Sequence, residues 1–276
     1  MTSSEVLRVI DPRGYFNKFF GEGIFPDGRS LLSSQKLVFK QGECGGIGSS
    51  IVTFGNVTVS CTIEASVSLA SDAPLISIEI AETQQLSEKD SEEYCKLLLN
   101  LFEKDFFVKR EAMRCRNSKG EKLALDWMFN IVIKVLSLDG DLLDTVVCAI
   151  GAALKNTKLP TIVLNHSTED ESAIEKTQIL VDEATYPLEI DEILMSGTFG
   201  IFTKSIDQNS NEILLVSPND EISKICKSTV TLVIGNDSKI VLCRQRGPIS
   251  DFQLLKKMAD IISERRQKFV EALQKS

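Results

Sequence analysis

The sequence predicts an α+β protein of two layered β/α lobes: strands, helix, strand and helix, then a second block of strands and a terminal helix. Three observations carry this. Runs rich in Val, Ile and Thr with near-alternating polarity fill much of residues 37–70 and recur after residue 176. Between them lies TVVCAIGAALKN, a helical run apolar almost all round and therefore buried. The chain then closes on residues 251–275, where Leu255, Met258, Ile262, Phe269 and Leu273 fall on or near one helical face.

Taken in order, Glu5 to Gly21 is amphipathic with a break at Pro12, and Tyr15, Phe16, Phe19 and Phe20 predict a short packed helix. Pro26-Asp27-Gly28-Arg29 reads as a turn. LVF (37–39), SSIVTFG (49–55) and NVTVSCTIEASVSLA (56–70) read as strands, with Gly55-Asn56 as a hairpin turn. Ser87 or Ser91 offers an N-cap to a helix in which Tyr94, Leu97, Leu98, Leu101 and Phe102 recur at helical spacing up to about Phe107. Residues 123–138 read as a long strand that ends in an Asp139-Gly140 turn, and Asp144 is placed to cap the apolar helix. Lys155-Asn156 and Pro160 end that helix, and TIVLN resumes as a strand. HSTEDESAIEK (166–176) is a polar surface loop or linker, after which QILVDE, GTFGIFTKS, NEILLVS, STVTLVIG and KIVLCRQ read as strands. The expected organisation is an N-terminal helical extension over 1–25, a first lobe over 26–176 and a second over 177–276.

Charge and composition narrow the function. The 276 residues carry 31 Lys+Arg against 39 Asp+Glu, a net charge of −8. A protein that holds nucleic acid alone by neutralising phosphates carries a basic surplus, so any RNA contact here rests on a local patch or on partners. With 43% hydrophobic and 25% charged residues, the chain is a folded globular protein and not a disordered one. No stretch approaches the ~20 apolar residues of a membrane span, and the first residues lack the apolar core of a signal peptide. Seven cysteines, odd in number and without a C-x-x-C, lie partly inside apolar runs. That usage leads us to expect an intracellular protein in a reducing compartment.

Several motifs could carry chemistry. Cys44-Gly45-Gly46-Ile47-Gly48 resembles a phosphate cradle, but its glycines precede a strand where a dinucleotide fingerprint needs a helix, which favours a loop or bulge. Asp139, Asp141 and Asp144 are half a calcium loop without the remaining ligands, and a turn followed by a helix cap explains them. His166 is the only histidine, and no cysteine pattern accompanies it, so no metal or cofactor is expected. Lys109, Arg110, Arg114, Arg116, Lys119 and Lys122 form a cationic run, with Arg244 and Arg246 as a smaller cluster. Such a concentration in an acidic chain fits either a polyanion contact or a salt-bridging rim.

Pro26-Asp27-Gly28-Arg29, followed by a strand and by Gly55-Asn56-Val57-Thr58-Val59, resembles the opening of ribonuclease PH domains. Asp139-Gly140-Asp141-Leu142-Leu143-Asp144, running into Ala149-Ile150-Gly151-Ala152-Ala153-Leu154-Lys155-Asn156-Thr157-Lys158-Leu159-Pro160, is similar to a segment of the ribonuclease PH-like ring subunits of the RNA exosome. The resemblance runs from about Tyr15 to the C-terminal helix. It implies a two-lobed ribonuclease PH-like fold and assembly with other ribonuclease PH-like subunits into a six-membered ring. It also implies S1-domain cap proteins on one face, RNA through the assembled channel, a role in RNA processing and degradation, and a cytoplasmic, nuclear and nucleolar location without a membrane. Active members of the family cleave RNA by phosphorolysis, with arginines and a Ser gripping phosphate at a helix start and an acid pair supporting metal.

This sequence departs from that pattern twice. The acid pair, D-x-x-x-x-x-D, belongs just after NEILLVS, where Asp220 and Glu221 stand but Cys226, Lys227 or Ser228 occupies the second position. The helix EEYCKLLLNLFEKDFF, where a phosphate-gripping arginine cluster is expected, contains no arginine. The resemblance therefore implies a non-catalytic ring subunit with no catalytic residues of its own, the eight cations above being the candidates for RNA contact. The alternatives are an active 3'-to-5' phosphorolytic exoribonuclease using Asp220 in a non-standard site, and a stand-alone RNA-binding protein.

Overall fold

The N-terminal amphipathic stretch folds as two helices because Pro12 has no N–H to continue the first one. Helix α1 spans Ser3–Ile10 and α2 spans Pro12–Gly21, with Asp11 accepting from the Gly14 N–H at 2.9 Å as the cap of α2. The structure is a computed structural model that describes residues 3–69, 75–81, 83–166, 177–204, 212–249 and 252–275. The polar loop expected at 166–176 lies outside the described residues from 167 onward.

The first sheet contains β1 (Leu37–Gln41), β2 (Gly48–Phe54), β3 (Val57–Leu69), β4 (Ile76–Ile80), β5 (Arg114–Arg116) and β6 (Lys122–Ser137), in the order β1-β2-β3-β6-β4 with β5 also on β6. Its two long members, β3 and β6, pair antiparallel from Thr58↔Ser137 to Leu69↔Leu125, while β4 runs parallel to β6. The Gly-rich segment is the loop between β1 and β2. Gly46 sits at φ 73°, and a Cβ there would lie 2.4 Å from the Ile63 carbonyl oxygen, so only glycine passes β3 this closely.

Helix α3 (Glu88–Glu103) starts at the Ser87 cap and buries Leu98, Leu101 and Phe102. It stops four residues before the expected Phe107, which turns back to stack on Phe102 at 4.6 Å between ring centroids. Helix α4 (Leu142–Asn156) is buried from Leu142 to Leu154, as its all-round apolarity requires. The strand after it, β7 (Lys158–His166), includes Pro160 and forms an antiparallel hairpin with β8 (Thr177–Pro187). This hairpin spans position 176, the expected lobe boundary.

The second sheet has β9 (Met195–Thr203), β10 (Glu212–Val216), β11 (Ser228–Ile234) and β12 (Ile240–Arg246) in the order β10-β9-β11-β12, with a six-residue helix α5 (Asp220–Ile225) between β10 and β11. Helix α6 (Phe252–Lys275) lays Met258, Ile262, Phe269 and Leu273 against β9, β11 and the first sheet, where Phe269 meets Phe39 at 5.3 Å. The helix α4 packs on β1, β2 and β3 and also on β9, so both sheets share one continuous apolar core. A second cluster joins the extension to the far sheet: Phe16, Phe20, Phe25 and Leu31 pack with Phe202, Leu215 and Ile222. Each such buried aromatic contributes roughly 1.5–3 kcal/mol of transfer free energy.

Candidate functional site

The site sought from the sequence lies where the start of α4 meets β9, β10 and β11. The β6–α4 turn, Asp139-Gly140, delivers Asp141 as the N-cap of α4, accepting from the Leu143 N–H at 2.9 Å. The expected cap, Asp144, sits one turn inside the helix and is buried. It accepts hydrogen bonds from Ser196 Oγ at 2.6 Å, from the Thr198 N–H at 2.8 Å and from Thr198 Oγ1 at 3.2 Å. Either acid satisfies the local capping pattern. The choice falls to Asp141 because β9 supplies three donors that only a side chain inside the helix can reach.

Asp141 is covered in turn by Thr231 Oγ1, at 3.3 Å, and by Arg244, whose guanidinium lies 3.9 Å away. Burial pushes the Asp141 carboxyl up to about 7, with the charge of Asp144 adding to the rise and Leu143 N–H, Arg244 and Thr231 opposing it. Burial likewise raises Asp144, against the pull of Arg265 and its hydrogen-bond donors. Two acids thus stand at the start of α4, and Leu142 and Leu143 beside them are buried. A helix N-terminus attracts anions, but here the first turn carries its own carboxylates. A small void of about 10 Å³ remains among Asp139, Asp144, Thr198 and Ser217.

The acid-pair segment follows β10. Ser217 is buried at φ 50°, a left-handed conformation uncommon for serine, and its Oγ has no hydrogen-bond partner among the described residues. The PDGR turn holds this point in place. The Arg29 guanidinium donates to the carbonyls of Val216 at 2.9 Å, Ser217 at 2.8 Å and Ser33 at 2.7 Å, and it lies 3.9 Å from the Phe25 ring centroid. PDGR is thereby more than a turn, because it ties the extension to the end of β10.

Asn219 caps α5 by accepting from the Ile222 N–H at 3.0 Å, which puts Asp220 and Glu221 in its first turn. Glu221 is bound by Arg8 of α1, whose Nε donates to it at 2.9 Å. Asp220 is exposed near Asp139, and partial desolvation, with the charge of Asp139 adding to it, raises its carboxyl above the ordinary range. The three candidates for the second acid position are each engaged elsewhere. Cys226 ends α5 against Gly200, Lys227 pairs with Glu212 at 2.8 Å, and Ser228 donates to the Pro248 carbonyl at 2.7 Å. Among the described residues, no group of three or more His, Cys, Asp and Glu side chains is placed to hold a metal ion.

The cationic run is distributed over the edge formed by the Arg110–Met113 turn, β5 and the start of β6. Lys109 pairs with Asp191 at 2.6 Å, Arg114 lies 3.9 Å from the buried Asp126, and Arg116 pairs with Glu189 at 2.7 Å while covering the Tyr186 ring. Arg110 is exposed at the start of its turn. Lys119 and Lys122, at the β5–β6 turn, are exposed and form no ion pair among the described residues. The smaller cluster points elsewhere. Arg244 pairs with Glu93 at 2.8 Å and lies over the Tyr94 ring, so it ties β12 to α3, while Arg246 is exposed at the end of β12. His166 ends β7, paired in register with Thr177.

Comparison with known proteins agrees with this geometry. Residues 34–160 match RNase PH, the 3' exoribonuclease family, domain 1. A curated relative, the exosome complex component rrp43 of Schizosaccharomyces pombe, is 23% identical over 86% of this chain and 85% of its own length. The archaeal exosome core superposes with a TM-score of 0.67 at 21% identity, covering 98% of this chain and 99% of the other. The Archaeoglobus fulgidus exosome with RNA bound to the active site gives 0.69 at 21% identity, over 96% and 99%, and rice (Oryza sativa) Rrp46 gives 0.60 at 13%, over 90% and 99%. No helix among the described residues is long and apolar enough to cross a membrane. Residues 34–160 therefore match domain 1 of the 3' exoribonuclease family, and the chain has a fold shared with exosome core chains.

Proposed function

We propose that this chain is a non-catalytic ring subunit of the RNA exosome that supports 3'-to-5' RNA processing and degradation by assembling the core and lining the RNA path. The observation that carries the non-catalytic reading is the fate of the second acid position. Two carboxylates are needed to hold a divalent ion against developing phosphate charge, and Cys226, Lys227 and Ser228 are all committed to packing, an ion pair and a backbone hydrogen bond. Glu221, the acid beside Asp220, is already held by Arg8.

For RNA, the reading narrows the eight candidate cations to the β5–β6 edge. Lys119 and Lys122 project there without ion pairs among the described residues, next to Arg110 and Arg114. A small patch of this kind suits a chain whose net charge is −8 and that contacts RNA as one wall of a shared channel. The partners are other ribonuclease PH-like ring subunits and S1-domain cap proteins, and the site of action is the nucleus, nucleolus and cytoplasm. Among ring positions, the aromatic N-terminal helix points to component eight, whereas the curated relative bears the name rrp43. Affinity purification of the full chain from cells tests the assignment. Recovery of the exosome core chains and cap proteins supports it, and identification of the two adjacent chains by cross-linking fixes the ring position. A chain recovered alone refutes it.

A further inference from the structure

The β7–β8 hairpin carries an unsatisfied surface. Ile179, Leu180 and Val181 of β8 are 40%, 44% and 62% exposed, and Val163, opposite Leu180, is 37% exposed. In a strand that covers a core on one face, apolar residues alternate with polar ones. Three consecutive apolar residues project to both faces, the pattern of a strand covered on each side. The core reaches β7, where Leu159 and Ile162 are buried, and meets β8 at Tyr186, but it leaves Ile179, Leu180 and Val181 exposed. Among the described residues β8 pairs only with β7, so its outer edge presents unpaired backbone donors and acceptors. Two strands alone are marginal in water, and they gain stability when a third strand or a packing layer is added.

We infer that the outer edge of β8 seats an extended strand of a different polypeptide, with β-branched or other apolar side chains against Ile179–Val181 and a lysine or arginine against Asp182 and Glu183. Backbone hydrogen bonds along the edge supply affinity, and the alternating side chains supply choice of partner. Charge selects the occupant. Asp182 and Glu183 follow the apolar triplet directly and are exposed, and the chain as a whole carries −8, so a second copy brings acid toward acid while a basic strand complements it. Within the reading of the chain as one member of a multi-chain core, on which this inference rests, the occupant is a strand of a sister chain.

The experiment uses the full chain co-expressed with exosome core chains, comparing wild type with the double variant Ile179→Lys/Val181→Lys. Both positions are exposed, so the fold is expected to survive, which circular dichroism and the urea midpoint establish. The milder Val181→Thr keeps strand propensity and serves if the double variant misfolds. Expected results are amide exchange at 179–183 slowed at least tenfold on assembly, at least tenfold less co-purifying partner for the double variant, and an intermediate loss for Val181→Thr. If the wild type assembles while its 179–183 amides remain unprotected, or a folded variant assembles equally well, the β8 inference is overturned and the ring assignment stands. If the wild type associates with no core chain, the ring assignment fails. Protection of β8 in a homodimer then overturns the inference as well.

Discussion

Asp144 provides the sharpest test of how the two sheets are joined. Replacing it with alanine removes the acceptor of the Thr198 N–H and of Ser196 Oγ, both buried, while Thr198 Oγ1 retains Thr231 at 2.9 Å. Leaving a buried donor without an acceptor costs about 1–3 kcal/mol. Two orphaned donors therefore put Asp144→Ala at about 4 kcal/mol, a large share of the 5–15 kcal/mol typical of a folded protein. Asn at this position keeps the shape and one accepting oxygen, and the Ser196 hydroxyl can turn to accept from the new amide. Its cost is then about 1–2 kcal/mol, the loss of one hydrogen bond and of its charge assistance. Urea unfolding followed by fluorescence and circular dichroism reads both differences, with an unchanged m-value showing that the same surface unfolds. A cost below about 1 kcal/mol for Asp144→Ala, or equal costs for the two variants, would refute the buried-acceptor role.

Three further outcomes follow from the same geometry. Because burial raises the Asp141 carboxyl, its favourable contribution is complete below the ordinary carboxylate range and is lost as pH climbs toward about 7, where the folded protein must hold it ionised. Arg244→Ala removes the cation that faces the ionised form, so unfolding measured against pH should find this variant more costly at pH 8 than at pH 5, by on the order of 1 kcal/mol. Arg29→Ala strips donors from three carbonyls and should cost about 3 kcal/mol, and Arg29→Lys should recover little of it, because an ammonium cannot span Val216, Ser217 and Ser33; chemical melts of both variants check this. Lys119→Glu/Lys122→Glu should weaken RNA retention by the assembled core roughly tenfold at low salt, with the difference shrinking as salt rises; filter binding against a salt series reads it, and an unchanged affinity would remove this edge from the RNA path.

The elements that depend on local pattern were legible. The Val/Ile/Thr alternation located β1, β2, β3, β6 and the strands of the second sheet, and the all-round apolarity of TVVCAIGAALKN correctly required a buried helix, which begins three residues earlier, at Leu142. What escaped depends on partners distant in sequence. Asp144 satisfies the capping pattern as well as Asp141 does, and only Ser196 and Thr198, some fifty positions away, draw it into the interior. For Arg114, Arg116 and Arg244 a salt-bridging rim is one of the open readings, but its acids, Asp126, Glu189 and Glu93, carry no local sign that they pair with these cations. PDGR signals a turn, but the reach of Arg29 to Val216 and Ser217 has no local signature. The short helix α5 was missed although Asn219 before Asp220 and Glu221 is a capping signal, because six residues are too few to show a period.

The most direct test of the non-catalytic account is a phosphorolysis assay on the purified chain, alone and in a core whose other subunits carry no active site. Single-stranded RNA, inorganic phosphate and a divalent metal are supplied, and nucleoside diphosphates are measured. The account predicts no diphosphate above the rate without protein, unchanged by Asp220→Ala. Diphosphate released by the wild-type chain and lost with Asp220→Ala would contradict it.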